Sequence, residues 1–546
     1  MVATNLMANP DRDVLSKKSS ENMIYSIDDF KLGMRISSGE DIGTIRYIGS
    51  IEGYNGNWLG IDWDCPTRGK HNGSVHGNIY FNASHETSGS FVRPFKVNLG
   101  VSIADALRGK YGEVTDAEKE RLIQERLESV SKSINAPFLE LVGFGKLEKK
   151  QSDFKELRIV GLRELQINDL GDLKEFSRLC PNVIELDLSK NLITSWDTII
   201  EICKDLPFLR RLNVSENKLE LPVNIGYGAL SQIKTIICGD MNVTWHNIVY
   251  LSQMWPNIEE LRIPFNNITN LDTTFNLNYV FLKLSTIFLQ SNPIQSWHEI
   301  NKLGTLNTLK KLILTECNLC EIEFPDCLPT EKSNLFKNLQ CLSIAENLID
   351  NWKSISELEK LRSLTELRCT KNPIDSTETT ASCFQLIVAR IGNLKNLNGT
   401  ELHIDDRRGA EYDYMKKYAN EWHKCQNDNE KMKDFVSLHP RFPILVEKYG
   451  SPDKITKTVH TSLKSNLLEL EFINEDKKII KKIPPGMLVD KLTTLIQRLF
   501  KLDSTPKLYY VSSTDENNCE RNMDNNLKDL QYYSIQSGDR IYIRTE

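Results

Sequence analysis

Leucine and isoleucine residues recur at a nearly constant interval along the central part of the chain. The repeated form is Leu-x-Leu-x-x-Asn-x-Leu, with isoleucine or valine at some of the apolar places. Its copies begin at Leu186, Leu212, Ile236, Leu261, Ile287, Leu312, Leu342 and Leu367. Most of these positions lie about 25 residues apart, a period typical of solenoid repeats. The longer interval between Leu312 and Leu342 predicts an insertion around residues 321–334.

Each copy predicts one short strand whose two apolar side chains point inward, followed by an asparagine that satisfies backbone groups at a turn. One unit cannot bury its apolar face alone, but a stack of units can, as a curved solenoid with a parallel sheet on its concave side. Trp196, Trp297 and Trp352 follow repeat asparagines and are predicted core residues on the convex side. This pattern resembles the leucine-rich repeat family. Met241 and Cys317 stand where the other copies have asparagine.

The residues between the paired apolar positions are predicted to face outward on the concave sheet. They carry charges of both signs, which suits a broad protein partner better than a small molecule. We expect this partner surface to include Glu185, Asp187, Arg211, Asn213, Glu260, Arg262, Lys311, Glu366 and Arg368.

Short apolar runs separated by many glycines indicate a small, tightly turned β domain before the repeats. Four motifs occur there in order: Gly43 to Gly49, Trp58 to Ile61, Gly69 to Gly73 and Gly89 to Pro94. Their order and spacing resemble the CAP-Gly domain family. In the central Gly-Lys-His-Asn-Gly loop, His71 stands where that family most often has asparagine, and Asn72 where it has aspartate.

The CAP-Gly resemblance implies recognition of a protein tail that ends in acidic residues and an aromatic. Such a tail needs a cation, backbone N–H donors and an apolar slot for the terminal ring. We expect Lys70 to supply the charge, and the amides of the glycine-flanked loop to form an anion-binding nest. Because histidine titrates near neutrality, we also expect binding to tighten at lower pH. The predicted groove comprises Lys70, His71, Asn72, Gly73 and Arg93, with Trp58, Trp63, Phe81 and Phe91 as candidate slot walls.

Nucleotide binding is not expected at this loop. A P-loop needs Ser or Thr after its Gly-Lys pair, and His71 follows Lys70 here.

The C-terminal segment has a third pattern. Strand-like runs at residues 467–473, 477–483, 508–511 and 538–543 surround an amphipathic helix at 489–499. The order strand, strand, helix, strand, turn, strand resembles a ubiquitin-like domain. The sequence ends Arg544-Thr545-Glu546 without the diglycine that conjugation needs, so we expect a docking module.

The sequence therefore predicts a multidomain α+β protein: a small CAP-Gly β domain, a leucine-rich repeat α/β solenoid and a ubiquitin-like β-grasp. The expected segments are a disordered N-terminus at 1–24, the CAP-Gly domain at 25–100, a helical linker or cap at 101–150 with a helix over 114–133, the solenoid at 151–400, its C-terminal cap and a helical linker at 401–455, and the ubiquitin-like domain at 460–546.

Composition narrows the function classes. A formal net charge of −6 over 546 residues argues against a general nucleic-acid or membrane-surface binder. The first thirty residues contain no continuous apolar run, so neither a signal peptide nor a membrane span is expected there. The 12 cysteines are scattered, which indicates reduced thiols in the cytoplasm.

The sequence shows no motif for catalysis or for a bound cofactor. Cys317 and Cys320 form a Cys-x-x-Cys pair, but no second pair follows at zinc-ribbon spacing, so no metal is expected. We find no nucleophile motif and no phosphate loop, and we therefore expect a binding protein without a cofactor rather than an enzyme.

The combination of the three modules resembles the tubulin-folding cofactors, a family of chaperones. The resemblance implies a cytoplasmic, cytoskeleton-associated protein that captures α-tubulin by its tail and body. It would work with other tubulin-folding cofactors to assemble or dissociate the α/β-tubulin heterodimer. Two alternatives stay open: a microtubule plus-end adaptor, and a ubiquitin-pathway shuttle that uses the terminal domain to reach the proteasome or ubiquitin-binding proteins.

Overall fold

The computed structural model describes residues 25–112, 154–168, 171–452, 467–475, 477–502, 504–513, 520–524, 528–530, 532–533 and 535–544. The chain divides into two compact units, Met1–Asp453 and Lys454–Glu546. The predicted disorder at 1–24 and the predicted helix at 114–133 lie outside the described residues. Within the described part, no helix has both the length and the apolar character needed to cross a bilayer.

The first unit begins with a small four-stranded antiparallel sheet in the order β1-β2-β3-β6, preceded by a short 3₁₀ turn at Ile27–Asp29 and followed by another at Pro94–Lys96. A two-stranded hairpin, β4-β5, lies beside the central loop. Ile36, Ile45 and Leu59 fill the core. The strands are β1 (Arg35–Ser38), β2 (Asp41–Ile51), β3 (Tyr54–Trp63), β4 (Ser74–Val75), β5 (Asn78–Ile79) and β6 (Gly89–Val92).

The repeats build an 11-stranded sheet, which confirms the predicted solenoid. Its strands pair in parallel from β7 to β16, and β17 closes the end antiparallel to β16. β7 and β16 extend the series beyond the repeats recognised in the sequence. The strands are β7 (Ile159–Gly161), β8 (Glu185–Asp187), β9 (Arg211–Asn213), β10 (Thr235–Ile237), β11 (Glu260–Arg262), β12 (Thr286–Phe288), β13 (Lys311–Ile313), β14 (Cys341–Ser343), β15 (Glu366–Arg368), β16 (Asn396–Leu397) and β17 (Thr400–Glu401).

Short helices cover the other side of the sheet, and several begin at a tryptophan that follows a polar N-cap. Ser195, for example, accepts a hydrogen bond from the backbone N–H of Thr198, which stabilises the helix start. Trp196 and Trp297 are buried as predicted, whereas Trp352 is only partly buried. The helices are α1 (Ile103–Tyr111), α2 (Leu173–Leu179), α3 (Trp196–Cys203), α4 (Trp245–Leu251), α5 (Leu277–Val280), α6 (Trp297–Leu303), α7 (Trp352–Glu357), α8 (Thr380–Arg390), α9 (Ile404–Cys425), α10 (Asn429–Leu438) and α11 (Phe442–Tyr449).

The repeat asparagines form a buried hydrogen-bond ladder along the solenoid. The Asn292 side chain donates to the carbonyls of Ile263 (2.9 Å) and Leu289 (2.8 Å) and accepts from the amides of Asn266 (2.9 Å) and Ile268 (3.1 Å). One side chain therefore satisfies polar backbone groups of two adjacent repeats, which would otherwise be buried without partners.

Cys317 takes the place of an asparagine in this ladder. Its thiol donates to the Leu289 carbonyl at 3.3 Å, and burial raises its pKa to about 12. The thiol therefore stays protonated and acts as a small buried group.

Both ends of the solenoid are covered. At the N-terminal end, Ile103 and Leu107 of α1 join the solenoid core. At the C-terminal end, Glu411 of α9 is buried and accepts hydrogen bonds from Arg441, from Lys448 at 2.9 Å and from the Tyr449 hydroxyl at 2.7 Å. A buried carboxylate is stable only with such partners, so this cluster fixes α9 against α11.

The second unit has the β-grasp fold predicted for a ubiquitin-like domain. Its five-stranded sheet has the order β19-β18-β22-β20-β21, with β18 and β22 parallel. Leu492 and Ile496 of the helix pack on Leu470 and Phe472 of the sheet. The elements are β18 (Leu468–Asn474), β19 (Lys477–Ile483), α12 (Val489–Phe500), β20 (Lys507–Val511), β21 (Arg521–Asn522) and β22 (Arg540–Arg544).

Replacing Asn292 with alanine is predicted to lower the free energy of unfolding of the solenoid by about 3 kcal/mol or more, because the buried amides of Asn266 and Ile268 and the buried Ile263 carbonyl lose the hydrogen bonds that Asn292 makes. Chemical denaturation followed by circular dichroism measures this change. The control is Asn270→Ala, an exposed asparagine in the preceding repeat, which should change stability by less than about 0.5 kcal/mol. Equal effects of the two substitutions would contradict a stabilising ladder.

Candidate functional site

The glycines of the central loop are required because the loop lies directly against neighbouring backbone. A Cβ on Gly69 would lie 2.3 Å from the carbonyl oxygen of Gly89. A Cβ on Gly73 would lie 1.9 Å from the Phe81 carbonyl oxygen, and Gly73 also has a φ of +105°. Both positions therefore exclude any side chain, and this close approach fixes the loop between them.

The backbone amides of the loop are already engaged within the domain. The amides of Lys70 and His71 both donate to the Gly89 carbonyl, at 2.8 and 3.2 Å. The Gly73 amide donates to Nδ1 of His71 at 3.0 Å. The predicted anion-binding nest is therefore wrong for these three amides. The exposed side chain of Lys70 is the group of the loop that can supply charge to a ligand.

The surroundings of His71 favour its neutral imidazole form. Its Nδ1 accepts the Gly73 hydrogen bond, so the ring proton belongs on Nε2. Burial lowers the pKa of His71, because the imidazolium form would lose solvation. The structure therefore argues against the expected titration of His71 near neutral pH.

Aromatic rings collect around Phe91. The centroid of the Phe91 ring lies 5.1 Å from that of His71, 5.4 Å from that of Phe81 and 5.5 Å from that of Tyr80. Tyr47 lies against the same ring at 6.1 Å. Phe81 and Phe91 thus lie together with His71, and Tyr47 and Tyr80 are additional members of the cluster.

Trp58 and Arg93 form a second part of the same face. The guanidinium of Arg93 lies 3.7 Å from the centre of the Trp58 ring and donates to the carbonyls of Asn55 (2.7 Å) and Asn57 (3.1 Å). Tyr54 packs edge-on against Trp58 at 6.0 Å. The indole N–H of Trp58 is buried and has no hydrogen-bond partner among the described residues. Arg93 therefore supports Trp58, and Tyr54 is a neighbour that sequence reasoning missed.

Strand alternation explains why these residues share a face and why Trp63 does not. Phe91 pairs with Gly60, which is two residues from Trp58, and side chains two apart point to the same side. Trp63 is an odd number of residues from Trp58, so it points to the other side. The structure accordingly places Trp63 in the core, 1% exposed, where it cannot form a slot wall.

Asn72 lies on the exposed side of the loop. Its side-chain carbonyl accepts from the Ser74 hydroxyl at 2.8 Å, and its amide donates to Glu86 at 3.4 Å. These bonds orient Asn72 beside Lys70, and the long bond to Glu86 leaves its amide easily redirected to a ligand.

The CAP-Gly domain contacts the solenoid directly. The Lys218 ammonium lies 2.6 Å from the carboxylate of Asp64, which also pairs with the buried Arg35. The side chains of Ser37 (3.0 Å) and Asn98 (2.9 Å) both donate to the Gln166 side-chain carbonyl. These contacts hold the groove-bearing domain on the N-terminal repeats.

The predicted concave residues do face outward. Each lies in a strand whose central residue is buried and whose flanking residues are at least partly exposed. Many of the charges pair with one another: Arg211 lies 3.6 Å from Glu185 and 3.8 Å from Glu260, and Arg368 lies 3.4 Å from Glu366. The concave face is therefore a largely self-neutralised polar surface.

Sequence reasoning missed apolar residues on the same face. Ile237, Phe288 and Ile313 occupy outward positions of β10, β12 and β13 and are partly exposed. Phe265, in the turn after β11, is 52% exposed. The signal was present in the sequence, because these strands have an apolar third residue where neighbouring repeats have a polar one.

Comparison with known proteins agrees with this architecture. Residues 32–97 match the family described as the CAP-Gly domain. The chain is 35% identical over 527 residues to tubulin-specific chaperone E of Bos taurus, covering 94% of this chain and 98% of that relative. It is 34% identical over 526 residues to tubulin-specific chaperone E of Homo sapiens, again covering 94% and 98%.

One solved structure is similar in sequence to part of this chain. The solution structure of the C-terminal ubiquitin-like domain of mouse tubulin-specific chaperone e is 31% identical, covers 15% of this chain and 88% of that chain, and superposes with a TM-score of 0.14. Since the full-length relatives match almost from end to end, the chain belongs to the tubulin-specific chaperone E family.

Proposed function

We propose that this chain is a tubulin-folding chaperone that binds α-tubulin through two surfaces. The CAP-Gly groove takes the acidic, tyrosine-ended tail, and the concave face of the solenoid takes the folded body. With other tubulin-folding cofactors, the chain assembles or dissociates the α/β-tubulin heterodimer. The observation that carries the proposal is the match to tubulin-specific chaperone E over 94% of the chain.

The groove has the chemistry that such a tail requires. The exposed Lys70 ammonium offers a charge-assisted hydrogen bond to a carboxylate, and the Asn72 amide offers a second donor. The rings around Phe91 and the Trp58–Tyr54 pair offer apolar surface to a terminal tyrosine.

Two surfaces on one chain make capture firmer than either surface alone. A groove that contacts a few tail residues buries little area and binds weakly. Once the tail is bound, the body meets the solenoid at an effective concentration of about millimolar. Because Asp64 and Gln166 anchor the CAP-Gly domain to the solenoid, the distance between the two surfaces is set by the fold rather than by a linker.

The chain acts by binding, without a cofactor, and any work done on the heterodimer comes from binding energy. The ubiquitin-like domain serves as a docking module for the proteasome or for ubiquitin-binding proteins. The site of action is the cytoplasm, in association with the tubulin cytoskeleton.

Lys70→Ala is predicted to weaken binding of a peptide with the acidic, tyrosine-ended α-tubulin tail by about tenfold or more, because a charge-assisted hydrogen bond is worth roughly 1.5–3 kcal/mol. Fluorescence anisotropy of a labelled peptide with the full chain measures the affinity. Lys96→Ala removes an exposed lysine of the same domain outside the loop and should change affinity less than about twofold. Unchanged affinity of the Lys70 variant would exclude this loop as the tail site.

Tail affinity is predicted to stay constant from pH 8 to about 6.5. The folded domain lowers the pKa of His71 below its usual 6.5, so the ring stays mainly neutral over this range, and tail carboxylates stay ionised. Anisotropy titrations at half-unit intervals measure the profile, with His71→Asn as the non-titrating control. Affinity that rises toward pH 6.5 in the wild type but not in the control would show that His71 does titrate there.

A further inference from the structure

Phe265 occupies a backbone position that the other repeats give to polar residues. The residue before each ladder position has a positive φ: 59° at Glu216, 50° at Asp240, 58° at Phe265, 57° at Ser291 and 59° at Glu316. A bulky apolar residue is rarely found in this left-handed region. The turn itself therefore does not favour phenylalanine here.

Exposure makes the choice of phenylalanine still less favourable for the isolated chain. The Phe265 side chain is 52% exposed, so much of its apolar surface meets water. An exposed aromatic side chain in a strained turn does not stabilise the fold. Such residues are concentrated at binding sites.

Further apolar side chains lie on the concave sheet near this turn: the Phe265 amide donates to the Gln290 carbonyl at 3.2 Å, two residues after Phe288. Phe288 and Ile313 are in register on the adjacent strands β12 and β13. Ile237 lies two strands from Phe288, and Arg262 on the strand between them stacks on the Phe288 ring at 4.4 Å. Ile237, Phe288 and Ile313 on strands β10, β12 and β13, with Phe265 in the turn after β11, are together called the apolar patch; they lie in the middle of the parallel series.

The surrounding charges are arranged as a rim. Arg211 and Arg262 both pair with Glu260, so they are neutralised within the chain. Lys311 differs, since its ammonium lies 5.7 Å from the centre of the Phe288 ring and forms no ion pair with any residue that the structure describes. The patch therefore offers apolar contact area and one cation that is open to a carboxylate.

We propose that this patch is the main contact through which the solenoid binds the folded body of α-tubulin, and that Lys311 forms an ion pair with a carboxylate beside the apolar contact. The proposal rests on the function proposed above and identifies which concave residues carry it. Protein interfaces combine an apolar centre with a polar rim, and their binding energy concentrates in a few central, aromatic-rich positions. The open sheet face and the single cation fit a protruding apolar and acidic element of a folded partner.

The repeats supply substitutions that the fold already accommodates. Phe265→Glu introduces the residue found at the same turn position in Glu216 and Glu316, and Phe288→Arg introduces the residue found at the same strand position in Arg262. Both variants should therefore keep the wild-type unfolding transition. If Phe265→Glu lowers it, Phe265→Ser replaces that variant, because Ser291 holds the same turn position in the next repeat.

The experiment measures binding of the full chain to α/β-tubulin whose C-terminal tails have been removed by limited proteolysis, so that the solenoid contact is isolated from the groove. Each patch variant is predicted to weaken this binding about tenfold or more. The control is Lys371→Glu, at the same turn position in an outer repeat, where Lys371 pairs with Glu346. It should change affinity less than about threefold.

The outcomes separate this proposal from the broader one. Wild-type affinity in both patch variants, or equal losses in the patch and control variants, would overturn the patch while leaving tubulin binding intact. Binding of intact tubulin but not of tail-free tubulin by the wild type would also overturn it, since the solenoid would then make no independent contact. No binding of either tubulin would overturn the proposed function itself.

Discussion

Every turn of the solenoid buries backbone N–H and carbonyl groups that no strand or helix can pair. The asparagine ladder meets this constraint, since each side chain serves two adjacent repeats. The remaining architecture follows from it. The ladder sets the period, holds the strands in parallel register and requires a left-handed residue just before each asparagine. At Phe265 this turn is hydrogen-bonded to Gln290, two residues after Phe288 on the neighbouring repeat.

In the CAP-Gly domain, the central loop packs closely against neighbouring backbone because two of its residues are glycines. Its central loop approaches Gly89 and Phe81 so closely that Gly69 and Gly73 cannot carry a side chain. This packing positions Lys70 and Asn72 on the exposed side and His71 against the aromatic rings. The domain is in turn fixed to the first repeats through Asp64 and Lys218. Groove and solenoid are therefore parts of one compact unit, which favours simultaneous contact with one partner.

Much of this could be predicted from the sequence, because periodic burial leaves a periodic pattern. The ladder asparagines, and their replacement by Met241 and Cys317, were identifiable from spacing alone. Other features depend on three-dimensional proximity. The loop glycines were recognised in the sequence. However, close packing against backbone and an anion-binding nest both favour glycine, so the sequence could not distinguish these two explanations. Trp63 could have been excluded from the groove by strand alternation. Phe265 stands out in the aligned repeats as an apolar residue at a polar position, but its exposure depends on the neighbouring repeats and could not be predicted.

The central claim is that one chain holds α-tubulin by its tail and by its body at the same time. Crosslinking of the full chain with α/β-tubulin by a carbodiimide, which joins lysines to nearby carboxylates, tests it most directly. The account predicts that Lys70 crosslinks to the α-tubulin tail and Lys311 to the α-tubulin body in the same complex. Crosslinks that involve only lysines of the convex side, such as Lys204, or only β-tubulin, would contradict it.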